Sequence, residues 1–349
     1  MAGTLVVQTA FLGDLVLTIP LLRELKRARP DAPLTLVTTP LGAKTLAGQR
    51  CVDALVVFDK NGNDRGALGL LRLGREIRSH APGVTLAAQR SARTGLLALL
   101  SGAPVRIGFE GAPGRFAYTR KVAWDPAAHA VRRYLALAAA AGGDPAGADP
   151  RPRLEVDPAA GERAARLLLD AGIEPDKKVL AVAPGSVWGT KRWIPEGFTA
   201  VVAEAARRGL APVLVGSEAE RELCGAISAA ANVPAANVAG RCGIPELVAV
   251  LSRAVALVSN DSGSGHVAAA VGTPVVAIFG PTVTAFGYTP FGGENRIVER
   301  SGLPCRPCDR HGPAVCPLGH FRCMREIEPE RVLAALDEVL AARERRGGV

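Results

Sequence analysis

Ser259-Asn260-Asp261-Ser262-Gly263-Ser264-Gly265-His266 stands between two apolar runs, Ala256-Leu257-Val258 before it and Val275-Val276-Ala277-Ile278-Phe279 after it. A helix-like segment, residues 267–271, and the turn Gly272-Thr273-Pro274 fill the interval. Strand, polar glycine loop, helix and strand make one βαβ unit. The glycines let backbone N–H groups approach a ligand without a Cβ in the way. The helix N-terminus adds partial positive charge and unpaired donors, which suit a phosphate. The same residues also suit an ordinary strand-to-helix turn capped by Asp and Ser.

The alternation continues on both sides of this stretch. Upstream, a strand over 179–183 ends in Pro184-Gly185-Ser186, and Trp188 and Trp193 flank Gly189-Thr190-Lys191-Arg192. A helix over 195–208, a strand over 212–215 and the loop Gly216-Ser217-Glu218-Ala219-Glu220 follow, then helices over 221–231 and 246–252. The first half reads the same way. Strands are expected over 5–7, 34–37, 52–58, 84–88 and 105–109, with helices over 68–77, 94–100 and 129–141. The first helix carries Leu15, Ile19, Leu22 and Leu25 on one face, and Pro20 should kink it or mark its real first turn. Such alternation implies mostly parallel sheets covered on both faces, with ligands beyond the carboxyl ends of the strands. Residues 142–152 have neither period nor bulky apolar side chains and read as a linker. The last segment, 329–345, is amphipathic, with Val332, Leu333, Leu336, Val339 and Leu340 on one stripe and Pro329 suited to a first turn.

The 349 residues are enough for two domains, and 48% hydrophobic content allows a large core. Apolar runs fall far short of the roughly 20 residues that span a bilayer. The first residues form a strand pattern rather than a targeting segment, so a cytoplasmic, soluble chain is expected. Aromatics are only 4%, and no block of five or six basic residues occurs, which argues against nucleic acid as a partner. A net charge of +9 favours anionic partners: nucleotides, phosphorylated acceptors or an acidic membrane surface.

Three strand-end loops carry polar groups suited to a nucleoside diphosphate. Lys191 can neutralise phosphate charge, a carboxylate of the 216–220 loop can take ribose hydroxyls, and the glycine loop can cradle phosphate. In the first half, Asp14 follows the first strand after Gly13. It suits a helix cap or a general base, and spacing alone favours the cap. Arg90, Arg93, Arg106, Arg115, Arg120 and Lys121 gather at the later loops. They suit solvated surface charge, or bidentate contacts to phosphate and carboxylate. Cys305, Cys308, Cys316 and Cys323 crowd together with His311 and His320 between them. The spacing loosely suits zinc, but no second Cys-x-x-Cys occurs, and reduced, partly buried thiols are the reading preferred.

Taken together, Gly13-Asp14 with Pro20, Pro184-Gly185-Ser186 with Lys191-Arg192-Trp193, and Asn260-Asp261-Ser262-Gly263 with His266 and Gly280-Pro281-Thr282 resemble the family-nine glycosyltransferases, the bacterial ADP-heptose:lipopolysaccharide heptosyltransferases. The resemblance runs nearly the whole chain in order. It implies the GT-B architecture, two Rossmann-like domains facing across a cleft, with the C-terminal helix crossing back. It places Asp14 as the catalytic base, Ser186 and Lys191 at the donor phosphates, and Asp261, Ser262, Gly263 and His266 on the diphosphate and sugar. Glu220, or else Glu218, falls near the donor ribose and Cys242 beside the adenine. Ser262 replaces the threonine of close relatives and keeps the hydroxyl. Val187 replaces a second hydroxyl found in some.

The domains expected are 1–157, acceptor-binding; 158–328, binding the nucleotide sugar; and 329–349, a helix packing back toward the first. The expected activity is inverting transfer of heptose from ADP-heptose to the lipopolysaccharide inner core, with Lys191 assisting departure of ADP. Arg90, Arg93, Arg106 and Arg120 are the acceptor candidates. No cofactor is expected. No Asp-x-Asp motif occurs, in keeping with a reaction that needs no metal. The lipid acceptor implies peripheral contact with the cytoplasmic face of the inner membrane. The rival readings are a sugar-nucleotide epimerase of GT-B fold, a transferase using another nucleotide sugar, and a non-catalytic binding module.

Overall fold

The computed structural model describes residues 2–60, 62–292 and 294–345. It divides into two compact units, residues 1–153 and 154–349. The first contains β1 (Gly3–Val7), α1 (Leu12–Ala28), β2 (Leu34–Thr38), α2 (Pro40–Leu46), β3 (Ala54–Val57), α3 (Gly66–Ser79), β4 (Pro82–Ala87), α4 (Ala92–Leu100), β5 (Val105–Phe109), β6 (Arg120–Val122) and α5 (Ala130–Ala140). The second contains α6 (Pro158–Asp170), β7 (Val179–Ala183), α7 (Pro195–Arg207), β8 (Ala211–Leu214), α8 (Arg221–Ala231), β9 (Ala236–Asn237), α9 (Ile244–Arg253), β10 (Ala254–Asn260), α10 (Gly263–Ala270), β11 (Val275–Phe279), β12 (Arg296–Glu299), α11 (Arg322–Arg325) and α12 (Pro329–Arg345).

Each unit holds one six-stranded parallel sheet, ordered β3-β2-β1-β4-β5-β6 in the first and β12-β11-β10-β7-β8-β9 in the second. Numbered within each unit, both orders are 3-2-1-4-5-6, that of the doubly wound dinucleotide-binding folds. The order reverses direction between β1 and β4, and again between β7 and β10. Val7 pairs with Ala87 at the first reversal, and Ser259 with Ala183 at the second. Beyond each pair, the outgoing loops part toward opposite faces of the sheet and leave a crevice.

Caps fix several helix starts at these sheet ends. Ser91 caps α4, His129 caps α5, and Asp157 caps α6, which has Pro158 in its first turn. Inside the first unit, Leu5, Val7, Val37 and Val56 pack with Phe58, Leu73, Ile77 and Leu97. The second unit buries Trp193, Phe198, Val258 and Ile278 in one larger cluster.

Three expectations need correction. α10 begins at Gly263, not at 267, so the presumed glycine loop is the first helical turn. α1 starts at Leu12 and runs through Pro20; the ring lies well inside the helix and removes one interior donor. Residues 142–152 belong to the first unit instead of floating as a linker. The Asp144 N–H donates to the buried Glu24 of α1 at 2.6 Å, and Arg23 of α1 reaches Asp149 and the Arg151 carbonyl.

The unit boundary lies between Arg153 and Leu154, a few residues before the expected 157/158. The amphipathic stripe of α12 lies where the sequence puts it: Val332, Leu336 and Val339 are buried in the core of the second unit, with Leu333 and Leu340 packed against it. Residues 346–349 lie outside the described residues.

Candidate functional site

In the second unit, five successive strands deliver polar groups at their carboxyl ends. Asn260, the last residue of β10, is fully buried and organises the crevice. Its Nδ2 donates to the carbonyls of Pro184 at 2.7 Å and Gly185 at 3.3 Å, and its Oδ1 accepts from the Trp193 N–H at 2.9 Å. One amide side chain thus clamps both ends of the 184–193 loop to the β10 terminus. The loop is held again from the outside. The Thr190 hydroxyl donates to the Pro313 carbonyl, and a Cβ on Gly189 would lie 2.6 Å from the Ala314 carbonyl oxygen.

Lys191 leaves this loop and places Nζ 2.6 Å from Asp261 Oδ2, with both side chains mostly buried. Thr282, just past β11, donates to the same carboxylate oxygen at 2.7 Å. Ser262 follows at the amino end of α10, where its hydroxyl oxygen is buried without a protein partner. His266, 6% exposed, sits in the first turn of α10. An ammonium, an unsatisfied hydroxyl and a helix amino terminus therefore gather at one strand end, a set suited to a phosphate or diphosphate.

Glu220 stands at the end of β8. One carboxylate oxygen accepts from the Ser217 N–H at 2.7 Å and from its hydroxyl at 2.9 Å. The other lies where a Cβ on Gly185 would come within 1.8 Å, so only glycine admits this carboxylate beside the β7 terminus. Glu218 instead packs against Gly240 and pairs with Arg221 at 3.3 Å on the surface. The structure thus separates the two carboxylates and sets Glu220 beside the loop that carries Ser186.

Cys242 follows β9. Burial pushes its thiol up to about 11, with the Glu246 charge adding to the effect. It is neutral and behaves as a small apolar group. Ser186 is 6% exposed, and its carbonyl accepts from Arg192 Nε at 2.9 Å. Val187 points outward, 75% exposed. Arg192, Thr282 and Asn260 are site residues to which the sequence reading gave no role. For Thr282 the signal was available, because it is the first hydroxyl after a buried strand.

The first unit builds a second polar crevice between β1 and β4. Gln8 and Thr9 follow β1 and are buried. Thr9 Oγ1 donates to Gln89 Oε1 at 2.7 Å, across the reversal of strand order. Lys60, beyond β3, donates to the Thr9 carbonyl at 3.2 Å. Asp14 is not the cap of α1. Phe11 holds that position without a side-chain bond, and Asp14 lies in the first turn, half-buried. Tyr134 of α5 donates its hydroxyl to Asp14 Oδ1 at 3.2 Å.

Arg90 lies over the Trp124 ring at 4.3 Å, Arg133 lies over it at 4.5 Å, and Phe109 meets it edge-on at 4.9 Å. Arg93 lies over Phe58 at 5.9 Å. These contacts hold Arg90 and Arg93 in the loop and helix start that follow β4. Arg106 and Arg120 are placed elsewhere. Arg106 enters β5 near its amino end and donates to the carbonyls of Ala117 and Ala103 at 2.6 and 2.7 Å. Arg120 donates to the Ala140 carbonyl at the end of α5, at 3.1 Å. Both serve backbone carbonyls away from the carboxyl ends, which corrects their reading as acceptor contacts.

Among the described residues, no three or more His, Cys, Asp or Glu side chains, those of the cysteine-bearing tail included, are grouped so that they could hold an ion. The tail's cysteines are free thiols. Burial pushes Cys323 up to about 11, with neighbouring Cys308 adding to the shift. Cys308 Sγ contacts the Cys305 carbonyl at 3.1 Å. The tail's visible role is mechanical. A Cβ on Gly312 would meet Pro281, Thr190 and Lys191 at 3.1–3.3 Å, so the segment walls the loop that carries the lysine.

Known proteins resemble this chain in sequence and in fold. The lipopolysaccharide heptosyltransferase 2 of Salmonella typhimurium is 26% identical over 350 residues, covering 97% of this chain and 98% of that protein. The lipopolysaccharide heptosyltransferase 1 of Pseudomonas aeruginosa is 33% identical over 187 residues, covering 50% of this chain and 51% of that protein. With that protein and the heptosyltransferases 2 of Campylobacter jejuni, the chain spans about half the length of the relatives it matches. Among solved structures, the family 9 glycosyl transferase of Veillonella parvula superposes with a TM-score of 0.88 at 23% identity, covering 98% of both chains. The Escherichia coli ADP-heptose heptosyltransferase II superposes with a TM-score of 0.78 at 23% identity, covering 98% of this chain and 99% of that one. The fold is therefore of the GT-B class, built from two Rossmann-type units. The profile of glycosyltransferase family 9 (heptosyltransferase) matches residues 70–316, and the chain belongs to that family.

Proposed function

We propose that this enzyme transfers a heptose from ADP-heptose to an inner-core lipopolysaccharide acceptor, with inversion at the anomeric carbon and no requirement for a metal. The observation that carries the reading is the buried, unsatisfied Ser262 hydroxyl at the amino end of α10, beside the Lys191–Asp261 pair. A departing diphosphate needs charge neutralisation and fixed donors, and these groups supply them. Support for the sugar and its nucleotide comes from relatives. An Escherichia coli heptosyltransferase with a TM-score of 0.73 and 18% identity is described with ADP-2-deoxy-2-fluoro heptose.

In this reading Asp14 takes the proton from the attacking acceptor hydroxyl. The oxygen forms the new bond to the anomeric carbon as the bond to ADP breaks on the opposite side. Lys191, the Ser262 hydroxyl and the N–H groups opening α10 stabilise the diphosphate that leaves. Glu220 holds the ribose hydroxyls, and Cys242 offers an apolar contact to the base. Arg90 and Arg93 meet acidic groups of the acceptor. The acceptor's lipid holds the enzyme against the cytoplasmic face of the inner membrane. No helix among the described residues is long and apolar enough to cross a membrane.

The test is incubation with ADP-heptose, with and without a lipopolysaccharide acceptor. Release of ADP, and a heptosylated product of inverted configuration, are expected only when acceptor is present. Conversion of donor without acceptor would make the protein an epimerase. Turnover of a uridine-linked sugar in preference to ADP-heptose would replace the donor.

A further inference from the structure

α3 carries an outward face that its own unit does not use. Gly69, Leu73, Gly74 and Ile77 face the core and are buried. Leu68 is nevertheless 83% exposed and Leu71 50% exposed. At 3.6 residues per turn, Leu68, Leu71 and Arg75 fall on one stripe opposite the core, with Arg78 at one border and Arg72, already paired with Asp64, at the other. The helix contains a single acidic residue, Glu76, which lies toward the edge of that face. The neighbouring helix continues the pattern. Leu100 of α4 packs against Gly74, and Leu99 of α4 is 45% exposed.

We infer that the outer face of α3, extended by Leu99 of α4, is the surface by which this enzyme docks on an anionic lipid bilayer. The argument is charge and shape together. Isolated exposed leucines are ordinary. Leucines sharing one helical stripe with Arg75, bordered by Arg78 and with acids only at the far edge, are not. Leucines on such a face enter the headgroup boundary while the arginines meet lipid phosphates. A protein partner of ordinary composition would leave the arginines without opposite charge, and the net charge of +9 favours a negative surface. The inference deepens the reading of a lipid-borne acceptor by naming the contact face, but lipid docking can be measured without any turnover.

The full-length protein is sedimented with vesicles of phosphatidylethanolamine and phosphatidylglycerol, and separately with vesicles of phosphatidylethanolamine and phosphatidylcholine. Binding is expected to the anionic vesicles alone and to weaken with added salt. L68S/L71S and R75E/R78E should each lower the vesicle partition coefficient about tenfold or more. Both variants should keep the wild-type circular dichroism and the wild-type rate on a delipidated, water-soluble acceptor. The inference is overturned if the wild type stays in the supernatant, or if both variants sediment like it. It is also overturned if the wild type forms a dimer in solution that L68S/L71S dissociates, because the face would then belong to a second copy. Absence of any sugar transfer would sink the functional reading and leave the sedimentation result standing.

Discussion

The Tyr134 hydroxyl of α5 donates to the Asp14 carboxylate of α1 at 3.2 Å, joining residues 120 positions apart in the sequence. Tyr134 is almost fully buried, so its ring has one orientation and the carboxylate is aimed by a rigid neighbour. On the proposed reading, in which Asp14 is the base, removing it and removing its support should have graded effects. Asp14→Asn should lower kcat by roughly 10²- to 10⁴-fold, the usual worth of a general base. Tyr134→Phe keeps the ring packing and should cost about tenfold through loosened geometry. ADP affinity, measured by calorimetry, should not change in either. Equal loss of ADP binding and of rate would make Asp14 a structural residue.

In the second unit, Lys191 is held by Asp261 before any phosphate arrives. Lys191→Ala should reduce kcat/KM for the donor by roughly 10²-fold, because it removes charge from the proposed leaving-group site. It also strands a mostly buried carboxylate, which should lower the melting temperature. Adding Asp261→Asn to the same chain should recover part of that temperature and none of the donor affinity. Thermal melts with and without ADP separate the two effects. A double variant that binds ADP like the wild type would remove Lys191 from the phosphate site.

Gly185 and Glu220 form a second coupled pair. An alanine at 185 would put its Cβ within 1.8 Å of the Glu220 carboxylate, which is the far end of a flexible side chain. The carboxylate moves and the backbone stays. Gly185→Ala should therefore weaken ADP binding about as much as Glu220→Gln does, by roughly tenfold. Its unfolding midpoint in urea should stay near the wild-type value. Wild-type ADP affinity in Gly185→Ala would mean that Glu220 does not hold the nucleotide.

Much of this arrangement was legible in the chain itself, and the failures have physical causes. Buried strands such as β7 and β11 read correctly because continuous Val, Ile and Ala runs between turn residues admit few alternatives. The start of α10 was missed because Gly263 and Gly265 are poor helix formers and tertiary packing overrode them. Of the two roles open to Pro20, that of marking the first turn fails, since packing outweighs one lost interior bond. The candidate donor residues stand out in the chain because each lies in a polar loop that follows a buried strand. The roles of Asn260, Tyr134 and Lys60 do not, because each acts on a partner far away in sequence. Arg106 and Arg120 resembled ligand contacts by composition alone. Arg106 stands at the second position of the strand expected over 105–109, so its amino-end place was readable there, whereas no local pattern marked the short strand that Arg120 opens.

The segment 142–152 leads to the last prediction, because carboxylates fasten it to its unit. Glu24, 2% exposed, accepts from Arg27 at 2.8 Å and from the Asp144 N–H at 2.6 Å, and the arginine holds its carboxyl below the usual range. The hydrogen bond from Arg151 pulls Asp149 down to about 2, with Arg153 adding to it. A carboxyl whose folded pKa lies below its unfolded value stabilises the fold above the unfolded value. That stabilisation drains away as pH falls through the folded one. For Asp149 the window runs from the ordinary value of 3.8 down to about 2, and for Glu24 it lies below the ordinary value of 4.5. Glu24→Gln and Asp149→Asn should therefore unfold at lower urea than the wild type at about pH 7; the Asp149→Asn gap should close as the pH approaches about 2, and the Glu24→Gln gap should narrow as the pH falls below the ordinary carboxylate range. Glu24→Gln should show the larger deficit, because its amide is buried against an arginine that it pairs poorly. A gap that is the same at both pH values would mean that packing, rather than charge, fastens this segment to α1.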